Sequence, residues 1–152
     1  MKIYNIKDKI EYIEEIAILT QKEWGSPCKD FIEFNEKIKK KIEKIKNNLY
    51  KNNYAKLLLL DGNNLVGFIS IFPTDGNECQ ELTPWYATMY VKKEYRGLGY
   101  SKILNDAILK EARNRGFKKI YLKSKLVNYY EKFGAIYIKS LNNGEKLYYI
   151  NL

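Results

Sequence analysis

The stretch Met89-Tyr90-Val91-Lys92-Lys93-Glu94-Tyr95-Arg96-Gly97-Leu98-Gly99-Tyr100-Ser101-Lys102 decides how this chain is read. A β-like run breaks into a loop holding one arginine and two glycines, and an amphipathic helix opens directly behind it. The first turn of any helix leaves backbone N–H groups without partners and carries the positive end of the helix dipole. An anion placed there meets several donors at once, so the segment has the form of a phosphate cradle. Gly97 and Gly99 let the backbone come close and adopt a positive φ, and Arg96 adds a charge-assisted contact to a phosphate oxygen.

Other phosphate motifs fail on spacing. A dinucleotide fingerprint needs a third glycine where Lys102 stands and normally follows the first strand of a βαβ unit. A Walker A loop needs Gly-Lys-Ser/Thr, which the chain lacks. An ordinary tight strand-to-helix turn is the remaining structural alternative for Gly97 and Gly99.

Outward from the cradle, the periodicities alternate. Lys2–Ile6 reads as a short strand, and Asp8 with Glu11 forms a capping box for a helix bearing Ile10, Ile13, Ala17, Thr20 and Trp24 on one face. Gly25 and Pro27 end it. A second helix starts near Asp30 and carries Phe34, Ile38, Ile42, Ile45 and Leu49, with Asn52-Asn53 beyond it. Tyr54–Leu60 and Leu65–Phe72 form a hairpin across Asp61-Gly62-Asn63-Asn64, and Pro73 to Thr83 is a polar loop. Trp85–Val91 is the strand leading into the cradle. The helix behind it turns Ile103, Leu104, Ala107, Ile108 and Ala112 inward and stops at Arg115-Gly116. Ile120–Leu122 reads as a strand, Leu126–Phe133 as a short helix ended by Gly134, and Ala135–Ser140 with Glu145–Asn151 as a closing hairpin. The order βααβββαβαββ predicts an α+β fold: a mixed, mostly antiparallel sheet of about six or seven strands flanked by about four helices.

At 152 residues the chain has the size of one domain, 1–152, able to bury roughly 70% of its unfolded surface. No apolar run nears the ~20 residues of a membrane span, and Met1–Asp8 has no apolar core of a secretory leader. Cys28 and Cys79 lack metal-ligand spacing, so free thiols in a reducing cytoplasm are the expectation, with no metal and no membrane partner. The absence of histidine excludes an imidazole base. A net charge of +9 raises the question of a nucleic-acid partner, yet Lys, Asn, Ile and Tyr are over-used together, as compositional bias on a tolerant surface would produce. Lysines 37, 39, 40, 41, 44 and 46 alternate with Ile38, Ile42 and Ile45 and read as the wet face of a helix.

These residues resemble the GNAT superfamily of acyl-coenzyme A-dependent N-acyltransferases. Arg96-Gly97-Leu98-Gly99-Tyr100-Ser101 looks like the family's pyrophosphate loop, with Ser101 where Gly or Ala is usual. Tyr129-Tyr130-Glu131-Lys132-Phe133-Gly134 is similar to its Tyr-Glu-Lys-x-Gly-Phe segment, with Ala135 where an aromatic is common, and Thr83-Pro84-Trp85-Tyr86-Ala87 resembles a group of bacterial members. The resemblance spans the chain. It implies acetyl-coenzyme A as cosubstrate, held by residues 96–102, by the main chain around Met89 and Val91, and by Asn128, which has helix capping as its alternative role.

Acyl transfer to an amine sets the remaining requirements. An aliphatic ammonium, with a reference pKa of ~10.4, must lose a proton before it attacks. The carbonyl oxygen needs fixed donors, and the departing thiolate needs an acid. The resemblance places that acid at Tyr130, a hydroxyl of reference pKa ~10, with Tyr129 as competitor. Glu81, at the entrance to the strand, is the candidate base, and Trp85 a candidate wall of the acceptor pocket. The expected reaction is acetyl or short-acyl transfer to a small-molecule or peptide primary amine in a ternary complex. A non-catalytic acyl-coenzyme A-binding module and a basic nucleic-acid-binding protein are the alternatives, and a homodimer is left open.

Overall fold

Leu57-Leu58-Leu59-Leu60 shows how the sheet is filled from both sides. In the computed structural model, which describes residues 1–152, Leu57 and Leu59 enter one buried cluster and Leu58 and Leu60 another. Strand side chains alternate between faces, so an unbroken apolar run belongs to a strand covered on both. The elements are β1 (Lys2–Asn5), α1 (Ile13–Trp24), α2 (Phe31–Asn48), β2 (Ala55–Asp61), β3 (Asn64–Phe72), β4 (Trp85–Val91), α3 (Tyr100–Asn114), β5 (Lys119–Ser124), β6 (Ile136–Ser140) and β7 (Lys146–Asn151). Helix α3 covers one face through Leu104, Ile108 and Ala112, while α1 and α2 cover the other through Ile13, Ile16 and Ile45.

The seven strands run in the order β1-β2-β3-β4-β5-β7-β6. Every neighbouring pair is antiparallel except β4 and β5, which meet in parallel at a single register position, Trp85 opposite Tyr121. The Tyr121 N–H donates to the Pro84 carbonyl at 3.0 Å, and beyond that point the two strands diverge. Opposite β3, strand β4 carries a bulge: Phe68 faces Tyr90 and Ser70 faces Ala87, leaving Thr88 and Met89 against Ile69 alone. Thr88 holds φ +49, a left-handed conformation that a β-branched residue rarely adopts.

Two sequence expectations are corrected. The Asp8–Glu11 capping box does not form. Ile6 is buried and pins the chain, which turns in two 3-10 segments, Ile6–Asp8 and Ile10–Tyr12, before α1 begins; Asn5 caps the first by accepting from the Lys7 N–H at 3.1 Å. The helix expected at Leu126–Phe133 is also absent, so three α-helices flank the sheet rather than about four. Ser124 Oγ accepts from the Leu126 N–H at 3.0 Å, Asn128 takes φ +56, and only a 3-10 turn at Glu131–Phe133 follows. Leu126 and Val127 are exposed, and only the later aromatics, Tyr130 foremost, pack against the sheet, so the first half of the segment has nothing to hold it helical.

Helix α2 is capped as a pair: Asp30 Oδ1 accepts from the Glu33 N–H at 2.8 Å and Glu33 Oε2 accepts from the Lys29 N–H at 2.9 Å. At the far end of α3, Arg115 Nη1 donates to the carbonyls of Lys51, Asn52 and Tyr54 at 2.9–3.0 Å, and its Nε pairs with Glu111 at 2.9 Å. Gly67 lets β3, β4 and α3 come together: a Cβ there would strike the Tyr90 carbonyl oxygen and lie 3.1 Å from Leu104 Cδ1. Gly67→Ala is therefore expected to lower stability by about 1–3 kcal/mol, read as a reduced urea midpoint with unchanged slope.

Candidate active site

Where β4 and β5 separate, two cavities of about 660 and 550 Å³ open along the wedge. The larger runs from Arg96, Gly97, Gly99, Tyr100 and Ser101 along Met89–Val91 to Tyr129 and Tyr130. The smaller lies between Tyr86–Thr88 of β4 and Leu122–Lys125, under the end of α1. Glu23, Met89 and Tyr130 border both. A ligand filling the first cavity therefore ends against Tyr130, and one filling the second reaches it from the other side.

The cradle is formed and chemically open. Gly97 and Gly99 take φ +77 and +84, which any L side chain would strain. Gly99 is the N-cap of α3, no side chain caps that end, and its first turn holds no acidic residue. Helix α2, by contrast, fills its own N-terminus with Asp30. The free amides of α3 thus retain their affinity for an external anion. Arg96 lines the cavity, with its Nε donating to the Val91 carbonyl at 2.8 Å and its guanidinium 5.6 Å from the centre of the Tyr90 ring. These donors fit a diphosphate, and the cavity walls of Met89, Val91 and Tyr129 fit a longer, less polar arm.

Tyr130 is half-buried and held by aromatic edges, 4.8 Å from the Tyr129 ring and 5.8 Å from Tyr86. Tyr86 is itself fixed by donating its hydroxyl to Asn105 Oδ1 at 2.9 Å in the core. Burial, with a smaller contribution from Tyr129, pushes the Tyr130 hydroxyl up to about 12. It therefore stays protonated throughout the neutral range. Tyr129 borders only the first cavity, so of the two tyrosines Tyr130 alone faces both.

The structure brings Met89, Val91, Arg96, Gly97, Gly99, Tyr100, Ser101 and Tyr130 together. It does not bring in the others. Leu98 is 63% exposed, Lys102 turns along the helix to Asp106 at 2.6 Å, and Asn128 sits exposed in its left-handed turn; none lines either cavity. Trp85 is wholly buried against Leu141 and Leu147, with its Nε1 donating to the Leu82 carbonyl at 2.8 Å, so it is core rather than pocket wall. Leu82 packs on the same cluster, while the neighbouring Glu81 is exposed and lines neither cavity.

The carboxylates that border the second cavity are Glu23, Asp75 and Glu145, beside Lys123 and Lys125. Burial raises the Asp75 carboxyl, and Lys123, whose Nζ donates to the Asp75 carbonyl at 2.7 Å, partly opposes the shift. Trp24 forms a further wall, its ring edge-on to Tyr90 at 6.1 Å. Sequence reasoning missed all of these. Trp24 read as part of the apolar face of α1, and only its 49% exposure shows that it leaves the core.

Residues 13–135 match the sequence profile of the Acetyltransferase (GNAT) family. The chain belongs to the GNAT acetyltransferase family. It is accordingly an acyltransferase served by a coenzyme A thioester. Among solved structures, aminoglycoside 6'-acetyltransferase type Ii superposes with a TM-score of 0.72 at 19% identity, over 99% of this chain and 97% of that one. A PaiA N-acetyltransferase from Thermoplasma acidophilum in complex with coenzyme A gives 0.66 at 18% identity, over the whole of both chains. A spermidine N-acetyltransferase chimera that includes the Vibrio cholerae protein gives 0.67 at 17%, over 99% and 96%. At such identities the likeness is one of fold. No curated protein matches the sequence.

For this GNAT protein the open end of α3 makes an opposite-signed prediction. Ser101→Asp places a carboxylate in the cradle, where it competes with a phosphate yet suits the helix dipole. Calorimetry should show coenzyme A binding weakened about tenfold or more, while the melting temperature stays level or rises, since such a charge stabilises a helix start by ~0.3–1 kcal/mol.

Proposed function

We propose that this chain transfers an acetyl group from acetyl-coenzyme A to a primary amine bearing additional positive charge, by direct attack in a ternary complex. The observation that carries this reading is the shared border of the two cavities, Met89 and Tyr130, with an anion cradle at the far end of one and carboxylates around the other. The α3 amides and Arg96 hold the diphosphate, and the strand edge at Met89–Val91 receives the arm that brings the thioester to the apex. Acetyl-coenzyme A supplies an activated acyl group. The main chain of the β4 bulge offers polar groups to the carbonyl oxygen, and Tyr130 gives its proton to the departing sulfur. Burial keeps Tyr130 protonated and also makes it a weaker acid, so its proton moves only as negative charge develops on the sulfur beside it.

Glu23, Asp75 and Glu145 outnumber Lys123 and Lys125 around this cavity, which leaves it slightly acidic on a protein that is otherwise strongly basic. With the face of Trp24, they favour an acceptor whose second or third ammonium is held while the first reacts. Two of the structural relatives are named for aminoglycoside and spermidine, both polycations, in keeping with such a lining.

The test is thiol release from acetyl-coenzyme A against an aminoglycoside, spermidine, a lysine peptide and a simple monoamine. Turnover should favour the polycations through a lower KM. Tyr130→Phe should cut kcat about 100-fold or more with coenzyme A affinity unchanged within about twofold. No turnover of any amine, or an unimpaired Tyr130→Phe enzyme, would overturn the reading.

A further inference from the structure

Lys56 is a cation placed where the fold gives it no counter-charge. It lies on β2, 3% exposed, among the apolar side chains that face α1 and α2. Its Nζ reaches one oxygen, Ser70 Oγ on β3 at 2.5 Å, and otherwise sits over the rings of Phe68 and Phe72 at 5.2 and 5.3 Å. The charged groups nearest it, Lys41 and Lys44 of α2, repel its proton, and no carboxylate pairs with it. Burial first, then these two lysines, lowers it to about 7. Across the same Ser70 hydroxyl, Thr88 Oγ1 makes a second hydrogen bond at 2.7 Å. Thr88 is the strained residue of the β4 bulge and borders the acceptor cavity one position before Met89.

Two arrangements satisfy the three groups. An ammonium donates to Ser70 while the Ser70 hydroxyl turns to Thr88, or a neutral amine accepts from Ser70 while Ser70 accepts from Thr88. In the second, the Thr88 oxygen keeps its lone pairs for a further donor. The chain of donors then runs one way, from cavity to core.

The substrate ammonium, held by Glu23, Asp75 and Glu145, gives its first proton to solvent before it attacks; the second proton, shed as the amide forms, still needs an acceptor. We propose that Thr88, Ser70 and Lys56 form a proton relay that drains the attacking amine, with Thr88 meeting the substrate nitrogen and Lys56 acting through the two hydroxyls as the terminal proton acceptor. This rests on the acyl-transfer reading above. As the nitrogen bonds to the carbonyl carbon it becomes strongly acidic; its proton passes to Thr88, the Thr88 proton to Ser70, and the Ser70 proton to Lys56 Nζ. The C–S bond breaks and sulfur takes the Tyr130 proton. Lys56 then returns its proton along the same path to the cavity, where the Tyr130 oxygen recovers it, so a neutral amine and a thioester become an amide and a thiol with no net proton change.

The relay predicts an extra inflection near pH 7 in kcat/KM, activity rising as Lys56 loses its proton, beneath the rise that belongs to the amine substrate itself. Ser70→Ala, which cuts the path, and Lys56→Met, which removes its end, should both abolish that inflection. Both should lower kcat/KM about tenfold or more near pH 8, with coenzyme A affinity within about twofold of native. An inflection surviving in both variants, or a loss confined to coenzyme A binding, would overturn the relay. A second measurement is independent of turnover: with 13Cε-lysine labelling, the resonance missing from Lys56→Met should report a neutral side chain at about pH 9 in the native protein. A Lys56 still protonated there would overturn the proposal, whereas absence of turnover in the native protein would instead count against the acyl-transfer reading.

Discussion

The divergence of β4 from β5 is the constraint on which this molecule is organised. Two parallel strands in one sheet ordinarily satisfy each other's backbone groups along their length. Here they meet at Trp85 and Tyr121 and then part, so both strands turn polar main-chain edges toward open space. The fold tolerates this because the junction itself is locked. Trp85 is sealed into core with Leu141 and Leu147, and Tyr121 is bonded to the carbonyl of Pro84. A firmly closed apex with splayed arms yields a cleft whose shape does not depend on a flexible loop.

Each face of the sheet then supplies one kind of chemistry to that cleft. On the α3 side the decisive property is a helix start with no internal acceptor, joined to an arginine tethered to its own strand. On the α1 and α2 side, acidic side chains from α1 and from the loops around β4 and β7 gather near the end of β5. The β4 bulge lies between the two. It changes the direction of the strand at Thr88 and Met89, so that Thr88 borders the second cavity, Tyr90 the first, and Met89 between them borders both. A regular strand would have paired those groups with β3 and left the apex bare of them.

What could be read from the sequence was whatever local chemistry dictates. The Arg-Gly-x-Gly loop, the strand before it, the helix start near Asp30 and the hairpin at Asp61–Asn64 stand where turn residues and periodicity placed them. The failures are equally physical. Asp8 and Glu11 have the spacing of a capping box, but burial of Ile6 fixes a tighter turn first. Leu126–Phe133 has helix-like composition, but Leu126 and Val127 stay exposed and only its second half packs inward through Tyr130. Trp85 and Glu81 both stand at the entrance of β4, but Trp85 packs inward against Leu141 and Leu147 and Glu81 stays in solvent, a difference that only tertiary packing decides. Glu23, Asp75 and Glu145 come from three separate segments and converge only through the tertiary fold. Lys56 lies inside the expected strand Tyr54–Leu60, and nothing in the sequence shows that this lysine is buried.

The grip of Arg115 on the carbonyls of Lys51, Asn52 and Tyr54 gives α3 an anchor at its rear. A 15-residue helix is about 22 Å long and stiff along its axis, so a restraint at one tip sets the position of the other. With its tail bolted to the segment that feeds β2, α3 behaves as a strut, unable to slide lengthwise without breaking several bonds together. The free amides of its first turn are thereby indexed to the sheet from the opposite side of the protein, and axial registration, along with the glycine loop, sets how far they lie from the apex.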